Sequence, residues 1–244
     1  MATSTYDIQM PEQGSIAKVV LENGSFDQCI AQLQKRGIGL WMPKDLALVR
    51  MAAGPDHDIS TNGSLVNVSY NYDNSGDADI LLASGKRNPL IPNAEKATRC
   101  HRQGDEFFPS DNEWKALREL AETDPYKAIK SGVLLLHRKD VMDEIPTHAY
   151  GEIPETIFIF EDQAKPYGGW LAQQRINSSS QYTVPARQAK KQDNPFSRLL
   201  GARPQRWVWP QWRLRPQLQR PGRWGTVRAC GAGRPKSFTR NKGS

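Results

Sequence analysis

The sequence predicts an α+β fold: a single compact domain with a mixed or antiparallel sheet and several short helices, followed by a disordered basic C-terminal tail. Three observations lead there. The stretch "SLVNVSYNYDN" alternates apolar and polar residues at the period of a strand. Two stretches beginning at Ser25 and Ser110 combine helix caps with an apolar stripe. Strand-like and helix-like runs are then interspersed without the strict alternation of a parallel sheet.

In chain order, "SFDQCIAQLQKRG" reads as a helix from end to end. Ser25 and Gln28 fit a capping box, Lys35 and Arg36 suit the last turn, and Gly37 supplies a left-handed stop. Phe26, Cys29, Ile30 and Leu33 share one face, so they are expected in the core, with Cys29 a small buried hydrophobe. "LWMPKDLALVRMAAG" gives a short strand into Pro43 and then a helix ending near Gly54. Within "SLVNVSYNYDN", Val66, Val68, Tyr70 and Tyr72 alternate with Asn67, Ser69, Asn71 and Asp73, the pattern of a half-buried strand. The turn "DNSGD" returns the chain into "ADILLAS" as a hairpin.

"FFPSDNEWKALRELAETDPYKAIKSG" predicts two successive helices. Ser110 and Glu113 form a second capping box, and Trp114, Leu117, Leu120 and Ala121 form the stripe. Asp124 caps the second helix, with Pro125 at its first position and Gly132 at its end. "GVLLLHR" and "TIFIFED" are buried-strand candidates on either side of a loop containing Pro146 and Pro154. Periodicity stops after "YGGWLA". The expected division is a globular α+β domain over residues 1–175 and a polar linker with an Arg/Trp/Pro-rich tail over 176–244.

Charge is divided along the same line. The 244 residues carry a formal +7, yet residues 1–193 hold all 26 acids against 21 Lys and Arg, a sum of −5. Residues 194–244 hold 12 basic residues and no acid, a sum of +12. Affinity for a polyanion is therefore expected in the tail alone. Cys29, Cys100 and Cys230 are odd in number and in no CxxC pair, which argues against a disulfide framework and a zinc knuckle and fits a reducing compartment. The longest apolar runs, "GVLLL" and "TIFIF", are far short of the roughly 20 residues that cross a bilayer, so a cytoplasmic protein with no membrane contact is expected.

Few constellations point to chemistry. His57 lies between Asp56 and Asp58, and Cys100, His101, Asp105 and Glu106 cluster in "CHRQGDE". Neighbours in sequence point apart, and neither group has metal-ligand spacing, so exposed loops are the expectation at both. "NEWK" supplies Glu113 and Lys115, half of a magnesium nuclease signature, but that signature wants a strand and Glu113 is already a helix cap. "ASGKRNP" lacks the spacing of a phosphate loop. No cofactor is implied and no catalytic residue emerges. Tyr70 and Tyr72 on one strand face would either stack on bases or cover the rim of the core.

The tail holds four of the seven tryptophans, and Pro204, Pro210, Pro216 and Pro221 forbid a continuous helix there. Arg supplies phosphate contacts and Trp supplies stacking surface. Its composition therefore predicts a single-stranded DNA- or RNA-binding arm made of Arg203, Arg206, Trp207, Trp209, Trp212, Arg213, Arg215, Arg220, Arg223 and Trp224. On this reading the chain is a non-enzymatic nucleic-acid-associated protein whose body serves as a folding platform, open to protein partners or self-association. The alternative is a structural or assembly protein, as of a phage-like particle, whose tail is a passive extension. The genetic code supports that alternative. Trp is always TGG, so a slip of one base forward turns every Trp codon into a glycine codon and makes "PQRWVWPQW" a Gly/Ser-rich run, a far commoner tail.

Overall fold

β1 (Ala2–Met10) and β2 (Ser15–Gly24) form a long antiparallel ribbon, paired without a break from Ala2 opposite Asn23 to Met10 opposite Ser15. The computed structural model describes residues 2–10, 15–61, 64–72, 79–103, 105–137, 140–142, 144–180, 196–202 and 227–232. After the ribbon come α1 (Phe26–Lys35), β3 (Gly39–Leu40), α2 (Pro43–Ala53) and the single turn α3 (Asp58–Thr61). β4 (Ser64–Tyr72) and β5 (Ile80–Ser84) make the expected antiparallel hairpin; its "DNSGD" turn lies outside the described residues. α4 (Ala94–Gln103), α5 (Asp111–Thr123) and α6 (Pro125–Lys130) lead to β6 (Val133–Leu136), which pairs with β5. β7 (Glu144–Pro146), α7 (Pro154–Phe160), α8 (Ala164–Gln173), β8 (Ser178–Ser180), β9 (Phe196–Ala202) and β10 (Val227–Ala232) complete the order.

The architecture is α+β, with one main sheet in the order β1-β2-β10-β4-β5-β6. β9 joins it on β4 and β3 joins it on β10, while β7 and β8 form a separate two-stranded pair. Pairing is antiparallel except where β10 meets β4. Helices cover both faces. On one, Ile8, Leu21, Val66, Val68, Tyr70, Tyr72 and Leu82 pack against Leu46 and Val49 of α2, Ile159 of α7 and Leu171 of α8. On the other, Val20 meets the α1 stripe, and Leu81 and Ala83 meet Leu117 and Ala121 of α5.

That second layer explains a departure from expectation. β4 was expected to be half-buried, yet Ser69 and Asn71 are fully buried along with Val66 and Val68. Their polar groups are satisfied within the sheet. Asn71 Nδ2 donates to Leu81 O at 2.8 Å and to Ser69 Oγ at 3.1 Å, and the Ser69 hydroxyl donates to Ala83 O at 3.4 Å. Burial of small polar groups costs little once their bonds are made.

The helix signals hold. Gln28 accepts from the Ser25 backbone N–H, and Gly37 takes φ +69° after α1. The Ser110 hydroxyl accepts from Glu113 N at 3.3 Å while Glu113 accepts from Ser110 N at 2.8 Å, a complete capping box. Asp124 caps α6 by accepting from Lys127 N at 2.9 Å. "TIFIFED" is a correction: residues 154–160 form a helix, not a strand. The β-branched run favoured a strand, but Pro154 starts the helix, and Glu155, Thr156, Ile159 and Phe160 are buried at helical spacing while Ile157 is exposed. Thr156 Oγ1 secures the first turn, donating to Tyr150 O and to Ile153 O.

α8 lies against the turn after β7 through Gly168. A Cβ there would come within 2.7 Å of Tyr150 Cβ and would also meet Thr147 O, so only glycine allows this approach. Three strands lie beyond residue 175, and each pairs with a strand that precedes it.

Candidate functional site

The sequence candidates for chemistry resolve as structural groups. His57 Nδ1 accepts from Ile59 N at 3.2 Å, which caps the α3 turn, and its ring meets the edge of Tyr6 at 5.0 Å. Tyr6 in turn donates to Asp58 at 2.8 Å, tying β1 to α3. Cys100 and His101 belong to α4, and Asp105 N returns to Cys100 O at 2.9 Å. Among the described residues no group of three or more His, Cys, Asp or Glu could hold a metal ion.

Glu113 and Lys115 sit on a helix rather than a strand, with Lys115 paired to Glu119 at 3.7 Å. Burial pushes the Glu113 carboxyl up, but bonds from the Ser110 backbone, the Ser110 hydroxyl and Asn93 outweigh it, leaving the group below its ordinary value. Tyr70 and Tyr72 are each 1% exposed and stack on one another at 6.3 Å, so neither offers a face to a base.

Sequence reading missed a set of buried charges. Arg50, on α2, donates to Ile59 O at 3.0 Å and to the Tyr167 hydroxyl at 3.2 Å. Glu155, on α7, accepts from the Tyr70 hydroxyl at 2.7 Å. Burial, then the Glu155 carboxylate, push the Tyr70 hydroxyl well above the usual tyrosine range. Glu22, on β2, accepts from Arg36 at 3.0 Å and from Thr3 at 2.7 Å. These groups lock α2, α3, α7 and α8 against the sheet. At 1–3% exposed, Arg50, Glu155 and Glu22 present nothing to a ligand. Only the break in the apolar stripe of α2 at Arg50 could have signalled them.

No helix among the described residues is long and apolar enough to cross a membrane.

What remains is the segment between β9 and β10. β9 ends with Ala202 opposite Ser64, the first residue of β4. β10 begins with Val227 opposite Gly24, the last residue of β2, and runs parallel to β4 with Ala229 beside Leu65. Residues 203–226 therefore leave and re-enter the sheet at one end of it. All ten residues expected to bind nucleic acid, from Arg203 to Trp224, fall in this interval, outside the described residues, as does the frame-shifted reading of "PQRWVWPQW".

No family model and no curated protein matches the chain. Its structure is similar to a solved one from Nanoarchaeota, described as the accommodation of massive sequence variation by the C-type lectin fold. The TM-score is 0.59 at 16% identity, over 90% of this chain and 98% of the other. This overturns the expectation of a nucleic-acid-associated protein. That reading rested on the composition of the tail, whereas 196–202 and 227–232, on both sides of its Arg/Trp run, are strands of the sheet. Composition alone does not separate an arm for phosphate from a segment bracketed by strands. At this identity the likeness shows the fold and nothing finer: the chain shares the C-type lectin fold.

Proposed function

We propose that the chain is a recognition module in which the lectin-like body is a scaffold and residues 203–226 carry the contact with an acidic protein partner. The observation that supports this most is the anchoring of that segment at both ends, on Ser64 through β9 and on Gly24 through β10. Anchored ends reduce the ordering cost of binding. The nanoarchaeal neighbour is described as a fold that accommodates massive sequence variation, and here all four tryptophans of the tail fall in one bracketed interval. Its six arginines and four tryptophans, with no acid, are the residue types that dominate contact energy at protein interfaces.

A display experiment tests this. Arg206, Trp207, Trp209, Trp212 and Arg213 are randomised together in the full chain, and the library is selected against one acidic protein. Folded binders whose melting stays close to that of the parent are expected. Loss of folded protein across the library would show that these side chains belong to the core and would end the scaffold reading.

A further inference from the structure

We propose that the outer edge of β1 is a self-pairing surface, at which two copies of the chain join antiparallel about a two-fold axis centred on Tyr6. The two ends of the main sheet differ. β6, at one end, has four residues and is packed by α5, α6 and α7. β1, at the other, has nine residues, is packed by α2, and among the described residues pairs with β2 alone, so no described strand lies on its outer side. Natural edges are guarded by charged side chains, lysine above all, and by proline, bulges or covering elements. β1 has no proline and no lysine, a single charge at Asp7 with Lys18 opposite it on β2, and an unbroken register with β2 that excludes a bulge. Such an edge is built for another strand.

The side chains specify which strand. Ile8 and Met10 are buried against the core of their own chain, while Thr3, Thr5, Asp7 and Gln9 are exposed on the opposite face. Asp7 is the single charge of β1, and Lys18 lies directly opposite it on β2. A two-fold at Tyr6 pairs all nine residues and sets Asp7 against Thr5 of the second copy, so each carboxylate keeps Lys18 on one side and a neutral hydroxyl on the other. Moving the axis to Asp7 places two carboxylates face to face, and moving it to Thr5 loses pairs at both ends. Charge and length therefore select the same register.

The test is sedimentation of the full chain from low micromolar to near-millimolar concentration. A concentration-dependent dimer is expected, weak because the contact is one strand wide. Thr5→Asp sets a carboxylate against Asp7 of the second copy twice over, and weakens association by roughly 5- to 30-fold. Thr5→Lys faces the same carboxylate with the opposite charge, and keeps or tightens the dimer. Thr5→Asp combined with Asp7→Lys restores association. Both positions are exposed, so monomer melting at low concentration should change little, which separates a lost edge contact from a lost fold. A chain that is monomeric at every concentration overturns the proposal, as does a dimer that responds alike to Thr5→Asp and Thr5→Lys.

Discussion

The strands of the main sheet on either side of β4 are assembled over very different distances along the chain. Between β4 and β6 the sheet closes over shorter stretches of chain: Tyr72 meets Ile80 after a brief interval of sequence, and Ile80 meets Leu136 after the three helices α4, α5 and α6. On the other side β10 returns from residue 227 to lie against β2, with Val227 opposite Gly24 and Ala232 opposite Val19. The first half has helices packed on both faces, with Leu81 and Ala83 under α5 and Tyr70 and Leu82 under the α2 layer. The second half depends on a strand that lies, in sequence, beyond every capped helix. Stability built from local contacts and stability built from one late strand should therefore fail differently.

The largest effect should come from removing the late strands. Truncation after residue 195 deletes β9 and β10, and leaves β2 and both the Ser64–Leu65 and Ser69–Tyr72 stretches of β4 without those partners. At about 0.5–1.5 kcal/mol per lost hydrogen bond, roughly 3 kcal/mol or more should disappear from the unfolding free energy measured in urea. A truncated chain as stable as the full one would make the two halves independent.

Gly168→Ala strikes the packing of α8 on the turn after β7. The new Cβ would press on Tyr150 Cβ at 2.7 Å and on Thr147 O, backbone and packed ring alike, and a cost of about 1–3 kcal/mol is expected, read as a lower denaturant midpoint. Tyr70→Phe should cost about 1–3 kcal/mol, because it removes a 2.7 Å bond to the buried Glu155 without changing shape. A neutral result there would mean that water reaches α7.

The smallest effect belongs to the α5 cap. Ser110→Ala should cost about 1 kcal/mol by melting. Glu113 is held below its ordinary value in the fold, so its contribution is fully present above the unfolded value of 4.5 and fades as pH falls through the lower folded value. Glu113→Gln should therefore flatten the loss of stability between pH 5 and the acid limit by comparison with the parent, and an unchanged acid slope would remove Glu113 from that account.

The legible parts of the sequence are those whose signal lies within a few residues. Ser25 with Gln28, Ser110 with Glu113, Asp124 before Pro125, and the alternation from Val66 to Tyr72 each state a local rule that the fold obeys. "TIFIF" failed because a β-branched run resembles a strand until Pro154, Thr156 and the burial of Glu155 are weighed. β9 and β10 were illegible because "FSRLLGA" and "VRACGA" lack a clear apolar alternation, and a strand supplied with partners from far away needs little local preference. The candidate site was visible as a composition and hidden as a function. Six arginines and four tryptophans fit several partners, and the fold that brackets them comes with 16% identity to its neighbour.

Amide hydrogen exchange of residues 227–232 in the full chain tests most directly whether the late strand completes the sheet. Six residues pair with β2 in the register Val227–Gly24 to Ala232–Val19, so their amides that face a neighbouring strand should exchange as slowly as those of β2 itself. Exchange at the rate of an unstructured peptide, with β2 still protected, would contradict the account.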